Sequence, residues 1–125
     1  MLQYYIDFWK NYTNFSGRSS RAAFWTAMLI HFLLWVAGFF LMLMIPVYPL
    51  IKLITILAQG YTIALLIPLV ALCVRRLHDI GKSGWWYLVG FVPLVGSIVL
   101  IVWYCREGDH GANAYGPDPK EMQIL

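Results

Sequence analysis

The residues with the most chemical potential fall in one short stretch, Arg75-Arg76-Leu77-His78-Asp79-Ile80-Gly81-Lys82-Ser83-Gly84. If a helix continues past Val74, then Arg75, His78 and Asp79 share a face at i, i+3 and i+4, while Arg76 points elsewhere. Guanidiniums at a membrane surface can grip a lipid phosphate through two parallel hydrogen bonds. One expectation is therefore a headgroup site made by Arg18, Arg21, Arg75, Arg76, His78, Asp79 and Lys82, with Asp79 orienting Arg75 or His78. The plainer expectation is a charged turn that pairs internally and sets orientation, since orientation already demands basic residues there. A third is acid–base work on lipid by His78 and Asp79, although no nucleophile or metal accompanies them.

His31 is the other candidate. It lies eight residues into a long apolar run, about 12 Å along a helix. An ionisable group at that depth is a functional suspect, but neutral His can also simply hydrogen-bond a neighbouring helix. Thr55, Gln59, Tyr61 and Thr62 are the available partners. A proton relay needs a second titrating group at similar depth, and no Asp, Glu or Lys is placed there. His31, His78 and His110 fall at three different predicted depths, so no metal site and no cofactor is expected. Asp109, Asn113 and Asp118 in the tail lack the regular ligand spacing of a calcium loop. No catalytic motif is present, so a non-enzymatic protein is expected. The basic loop is too short and too close to apolar runs to serve nucleic acid.

These residues need elements to hold them. The chain of 125 residues has room for one domain, with 61% hydrophobic and 12% charged residues, against about 25% charged in soluble domains. A soluble core this small could not hide so much apolar surface. The pattern predicts an all-α polytopic membrane protein: three transmembrane helices at 23–45, 53–74 and 85–105, and an amphipathic interfacial helix over 2–14. Each span is uncharged. Tyr5, Phe8, Trp9 and Tyr12 line one face of the leading helix, which suits either the headgroup plane or packing on the rest of the chain. Pro46 and Pro49 punctuate the connection 46–52, Pro68 should kink the second span, and Pro93 and Gly96 should loosen the third. Residues 106–125 form a polar tail of turns or disorder.

Aromatic residues make up 17% of the chain, with Trp9, Trp25, Trp85, Trp86 and Trp103 expected as interfacial anchors. Trp86 and Trp103 are 17 positions apart, about 26 Å on one helix, which predicts an indole at each interface. Three crossings put six basic residues on one side, Lys10, Arg18, Arg21, Arg75, Arg76 and Lys82, against Lys52, Arg106 and Lys120 on the other. The N-terminus is then cytoplasmic and the tail outside. Cys73 and Cys105 would sit about 30 Å apart, too far for a disulfide.

Three motifs carry a family resemblance. They are Phe15-Ser16-Gly17-Arg18-Ser19-Ser20-Arg21 with Phe24-Trp25, the stretch from Arg75 to Trp86, and the tail from Gly108 to Pro119. In this order they resemble the YhaH-like bacterial inner-membrane family, domain of unknown function family 805. The resemblance implies a short bacterial plasma-membrane protein with a few helical spans, and no particular reaction. Members usually carry Glu just before the first aromatic pair, where this chain has Ala23, so a capping-box or Arg-pairing acid is missing.

The functional expectation is a multi-pass plasma-membrane protein that binds anionic phospholipid, or a membrane partner, through a cytoplasmic Arg-rich face. The alternative is one subunit of an oligomeric transporter or channel, built with further copies or a membrane-protein partner.

Overall fold

The computed structural model describes residues 2–45 and 47–120. Pro46, which opens the predicted 46–52 connection, and the last five residues of the predicted tail lie outside the described residues. In chain order the elements are α1 (Leu2–Lys10), α2 (Arg21–Met44), α3 (Tyr48–Asp79), a 3-10 segment (Gly84–Phe91) and α4 (Val95–Cys105). Among the described residues the only β pairing is an isolated bridge, Asn113 to Gly116.

Two of these helices are long and apolar enough to cross a membrane, α2 with 24 residues and α3 with 32. At 1.5 Å per residue they reach about 36 and 48 Å, so each exceeds a hydrocarbon core of about 30 Å. The Ser20 side chain accepts a bond from the Ala23 N–H and starts α2. With a methyl at position 23, no acid returns the bond. Pro49 sits in the first turn of α3, where its missing N–H costs nothing. The helix continues unbroken through Pro68 to Asp79. The bonding face of Arg75, His78 and Asp79 is therefore helical, as the spacing anticipated.

The third predicted span is not one helix. Residues 84–105 divide into the 3-10 segment and α4, eight and eleven residues long, about 16 Å each. Neither limb alone covers a bilayer core. Between them Leu94 adopts φ 62 and ψ −62, and the Val95 N–H donates to Pro93 O at 2.7 Å. This is a γ-turn, a tight and strained reversal. The limbs pack closely enough that a Cβ on Gly96 would lie 1.9 Å from Val89 O. Trp86 and Trp103 consequently meet edge to face at 5.7 Å, instead of marking two interfaces about 26 Å apart.

The hairpin returns to the end where it began. Arg21 donates to Cys105 O at 3.1 Å, and Trp25 Nε1 donates to Tyr104 O at 3.1 Å. The tail therefore sits at the same end of the molecule as the first loop and the Arg75 turn, contrary to the far-side placement expected from three crossings. Cys73 and Cys105 are both free, but not because a bilayer separates them: both belong to this end.

The packed core is confined to that end. Phe8, Phe24, Ala27, Leu72, Leu77 and Tyr104 are buried. In α3 no residue before Leu65 is buried, and in α2 none after His31. The other half is a bare helical pair, with Phe39, Leu43, Leu57 and Ile63 more than half exposed. Helices apolar on every side require an apolar surrounding. α1 lies against α2 and α3, with Phe8, Trp9 and Tyr5 around the His31 ring.

Candidate functional site

The last turn of α3 carries an ion-paired cluster. Asp79 is 1% exposed. Its Oδ1 accepts from Arg18 Nε at 3.1 Å, and its Oδ2 from Arg76 Nη1 at 2.8 Å. Burial pushes the Asp79 carboxyl up, while the charges of Arg76 and Arg18 oppose that rise. Asp79 thus orients Arg18 and Arg76, not Arg75 or His78 as expected from the shared face. The i, i+3 step from Arg76 and the approach of the first loop decide the pairing.

The remaining guanidinium donors go to backbone carbonyls. Arg76 donates to Tyr104 O at 3.1 Å and also to Arg106 O. Arg18 donates to Gly111 O at 2.7 Å and to Asp109 O at 2.7 Å. Arg75 turns the other way, to Ser19 Oγ at 3.0 Å, Asn11 O at 2.8 Å and Asn14 O at 3.0 Å. Burial pushes its guanidinium down to about 10, which leaves it charged at neutral pH. Three arginines therefore tie the first loop, the end of α3 and the tail together. Arg21 stays exposed with its single bond to Cys105 O, and Lys82 lies 4.6 Å over the Trp103 ring.

The tail forms half of this cluster, and sequence reasoning missed it. Asp109 N–H donates to Asp79 O at 2.7 Å. Asn113 donates to His78 O at 2.9 Å and to Asp109 Oδ2 at 3.0 Å. Tyr115 stacks on the His78 ring at 4.0 Å with the planes 2° apart. Asp118 accepts from the Gly111 and Lys120 amides, and these bonds hold its carboxyl below the usual range. The available signal was the run of Gly, Asp and Asn from Gly108 to Asp118, which reads as turns but names no partner.

His78 stands apart from the ion pairs. Its Nδ1 is 2.9 Å from Gly17 O, and its ring lines a groove of about 410 Å³ with Val70, Val74, Ser83, Trp85 and Leu88. A second cavity of about 270 Å³ lies among Asp7, Asn14, Arg18, Ser20, Ala23 and Arg75. His31 pairs through Nδ1 with Tyr61 O–H at 2.5 Å, one of the four partners anticipated. Among the anchors, Trp85 is 80% exposed, whereas Trp9 packs on Tyr61 and His31. Among the described residues no three His, Cys, Asp or Glu side chains gather as a metal set.

A family model described as a protein of unknown function (DUF805) matches residues 12–117. The chain belongs to this family. The inner membrane protein YhaI of Escherichia coli is 39% identical over 119 residues, covering 95% of this chain and 97% of the relative. The inner membrane protein YhaH of the same organism is 34% identical over 128 residues, covering 95% and 98%. The uncharacterized protein YiiR is 30% identical over 135 residues. No solved structure matches. Membership agrees with the bare helical pair: the protein is a membrane protein of a family whose biochemical role is open.

Proposed function

We propose that this is a two-span inner-membrane protein, with α1 and the described tail both on the cytoplasmic side, that binds anionic phospholipid at its cytoplasmic face without catalysing a reaction. One observation carries the reading. With the hairpin returning, Lys10, Arg18, Arg21, Arg75, Arg76, Lys82, Arg106 and Lys120 all belong to one end, and only Lys52 to the other. Basic residues stay cytoplasmic, so an eight-to-one partition supports this orientation more strongly than the ratio expected from three crossings.

Six of these eight cations divide into two groups. Arg18, Arg75 and Arg76 are occupied by the fold. Lys10, Arg21 and Arg106 are exposed at the same end and remain for headgroup phosphates, at about 1 kcal/mol each near an anionic surface. The lipid contact thus moves from the central guanidiniums to the rim. The test is salt-sensitive binding of phosphatidylglycerol vesicles by the protein held in phosphatidylcholine nanodiscs. The triple variant Lys10→Ala, Arg21→Ala, Arg106→Ala is expected to lose more than tenfold in that binding. Unchanged vesicle binding overturns the proposal.

The broken third segment supports a second reading, a subunit of an oligomeric transporter or channel, since transporters use interrupted helices. Its limbs offer few groups to line a polar route, with Ser97 the one hydroxyl in α4 besides Tyr104. A strictly monomeric protein in nanodiscs removes this reading.

A further inference from the structure

We propose that the groove between α3 and the 3-10 segment is a site for one phosphatidylglycerol-like lipid, its acyl chain on the apolar walls and a headgroup hydroxyl donated to His78 Nε2. The inference rests on the cytoplasmic placement of this end, and it adds a defined site to what is otherwise a charged rim.

The His78 ring fixes the polar end of the groove. A carbonyl oxygen can only accept, so Gly17 O at 2.9 Å assigns the proton of the neutral ring to Nδ1. Nε2 is then left with its lone pair and no partner among the described residues. The residue is 6% exposed, held by the Tyr115 stack on one side. Nε2 lies 3.6 Å from where a Cβ on Gly84 would stand, and both residues line the groove. The atom is not sealed off, so a donor bound in the groove can reach it, and the described residues supply none. Ser83 lies on the same rim. Its Oγ accepts from the Trp85 N–H at 3.4 Å, which leaves its own proton for a phosphate oxygen.

The walls define the rest of the ligand. Val70, Val74 and His78 follow one another at four-residue steps along α3, about 12 Å from the deepest to the polar end. Leu88 of the 3-10 segment faces them. The volume, about 410 Å³, falls within the range of small-molecule sites, about 300–1,000 Å³. Any acyl chain can cover these walls, so selection falls to the polar end. A head that donates to Nε2 and accepts from Ser83 carries an O–H or N–H donor beside a phosphate. Phosphatidylglycerol has both, with the net negative charge that the basic end of the molecule favours; phosphatidylethanolamine donates through its ammonium but has no net charge, and phosphatidylcholine offers no donor.

The full chain in mixed-lipid nanodiscs tests the proposal by native mass spectrometry, with phosphatidylglycerol, phosphatidylethanolamine or phosphatidylcholine as the probe. One phosphatidylglycerol per chain is expected to resist detergent exchange, with at least tenfold preference over the other two. Val70→Trp fills the deep end of the groove without touching the ion-paired cluster, and Ser83→Ala removes the second polar contact. Both are expected to abolish that single retained lipid while leaving the salt-sensitive binding of vesicles intact. Equal retention of phosphatidylethanolamine, or an unaltered lipid in Val70→Trp or Ser83→Ala, overturns the groove site. Salt-insensitive vesicle binding unaffected by the rim variants overturns the broader charged-face reading instead, so the two failures are separable.

Discussion

Gly108 passes so close to Asp79 that a Cβ on the glycine would stand 2.0 Å from Oδ2. The contact explains why the tail can complete the cluster. Only a residue without a side chain lets the backbone run over a carboxylate already held by two guanidiniums, and places the next amide, Asp109 N–H, on Asp79 O at 2.7 Å. Gly108→Ala is expected to displace the tail from the α3 turn. Limited proteolysis in detergent should show the segment after Cys105 cut at least tenfold faster than in the parent, with α2 and α3 intact. An unchanged cleavage rate contradicts the contact.

The Asp79 carboxylate balances two buried cations. Arg18 and Arg76 side chains are 1% and 0% exposed beside it. Removing one member of a buried charged set leaves the others uncompensated, typically at about 3–5 kcal/mol. Asp79→Asn keeps the shape and loses the charge, so it should destabilise by that order. Asp109→Asn, whose carboxylate meets Asn113 at an exposed position, should cost under about 1 kcal/mol. Thermal unfolding of both variants in one detergent gives the comparison, and equal midpoints contradict the assignment of Asp79 as the central charge.

The hairpin of residues 84–105 depends on a close backbone approach. A Cβ on Gly96 would meet Val89 O at 1.9 Å and Gly90 Cα at 3.2 Å, and a backbone atom cannot swing away as a side-chain tip can. Gly96→Ala should separate the limbs, and with them Trp86 and Trp103. The readout is tryptophan fluorescence together with an unfolding midpoint lower by several degrees. Gly38→Ala is the control, because nothing lies within 4 Å of a Cβ there, and it should leave both unchanged.

The two long helices were legible because each contains an uncharged run long enough to cross a bilayer core, and nothing in the packing competes with that signal. The third segment has the same hydropathy but not the same path. Its course is set by the γ-turn at Leu94 and by space for Gly96, both properties of the backbone that composition does not register. The cluster was legible in part. Arg76 and Asp79 stand at helical spacing, and Tyr61 was among four partners named for His31. The carbonyls of Tyr104, Arg106, Asp109 and Gly111 carry no residue-type signature, so the destination of the guanidiniums could not be read. The charge partition followed the topology: assigning the tail to the wrong end moved Arg106 and Lys120 with it and weakened a bias that is in fact eight to one.

That partition makes the sharpest topological prediction. Cys105 is exposed at the same end as the Arg75 turn, whereas Val47 lies at the opposite end, between α2 and α3. A path of three crossings would carry Arg106 and Lys120 outside, and would leave the bonds of Arg21 and Arg76 to the carbonyls of Cys105, Tyr104 and Arg106 unmade. In spheroplasts, a membrane-impermeant maleimide should therefore leave Cys105 unlabelled in a Cys73→Ser background until the membrane is permeabilised. Val47→Cys, with both native cysteines replaced by Ser, should label at once. Cys105 labelled in intact spheroplasts, with Val47→Cys labelled as well, places the tail outside and overturns the two-span arrangement. Val47→Cys protected and Cys105 labelled inverts the orientation but keeps the Arg75 turn and the start of the tail on one side. The two outcomes thus separate the path of the chain from its direction.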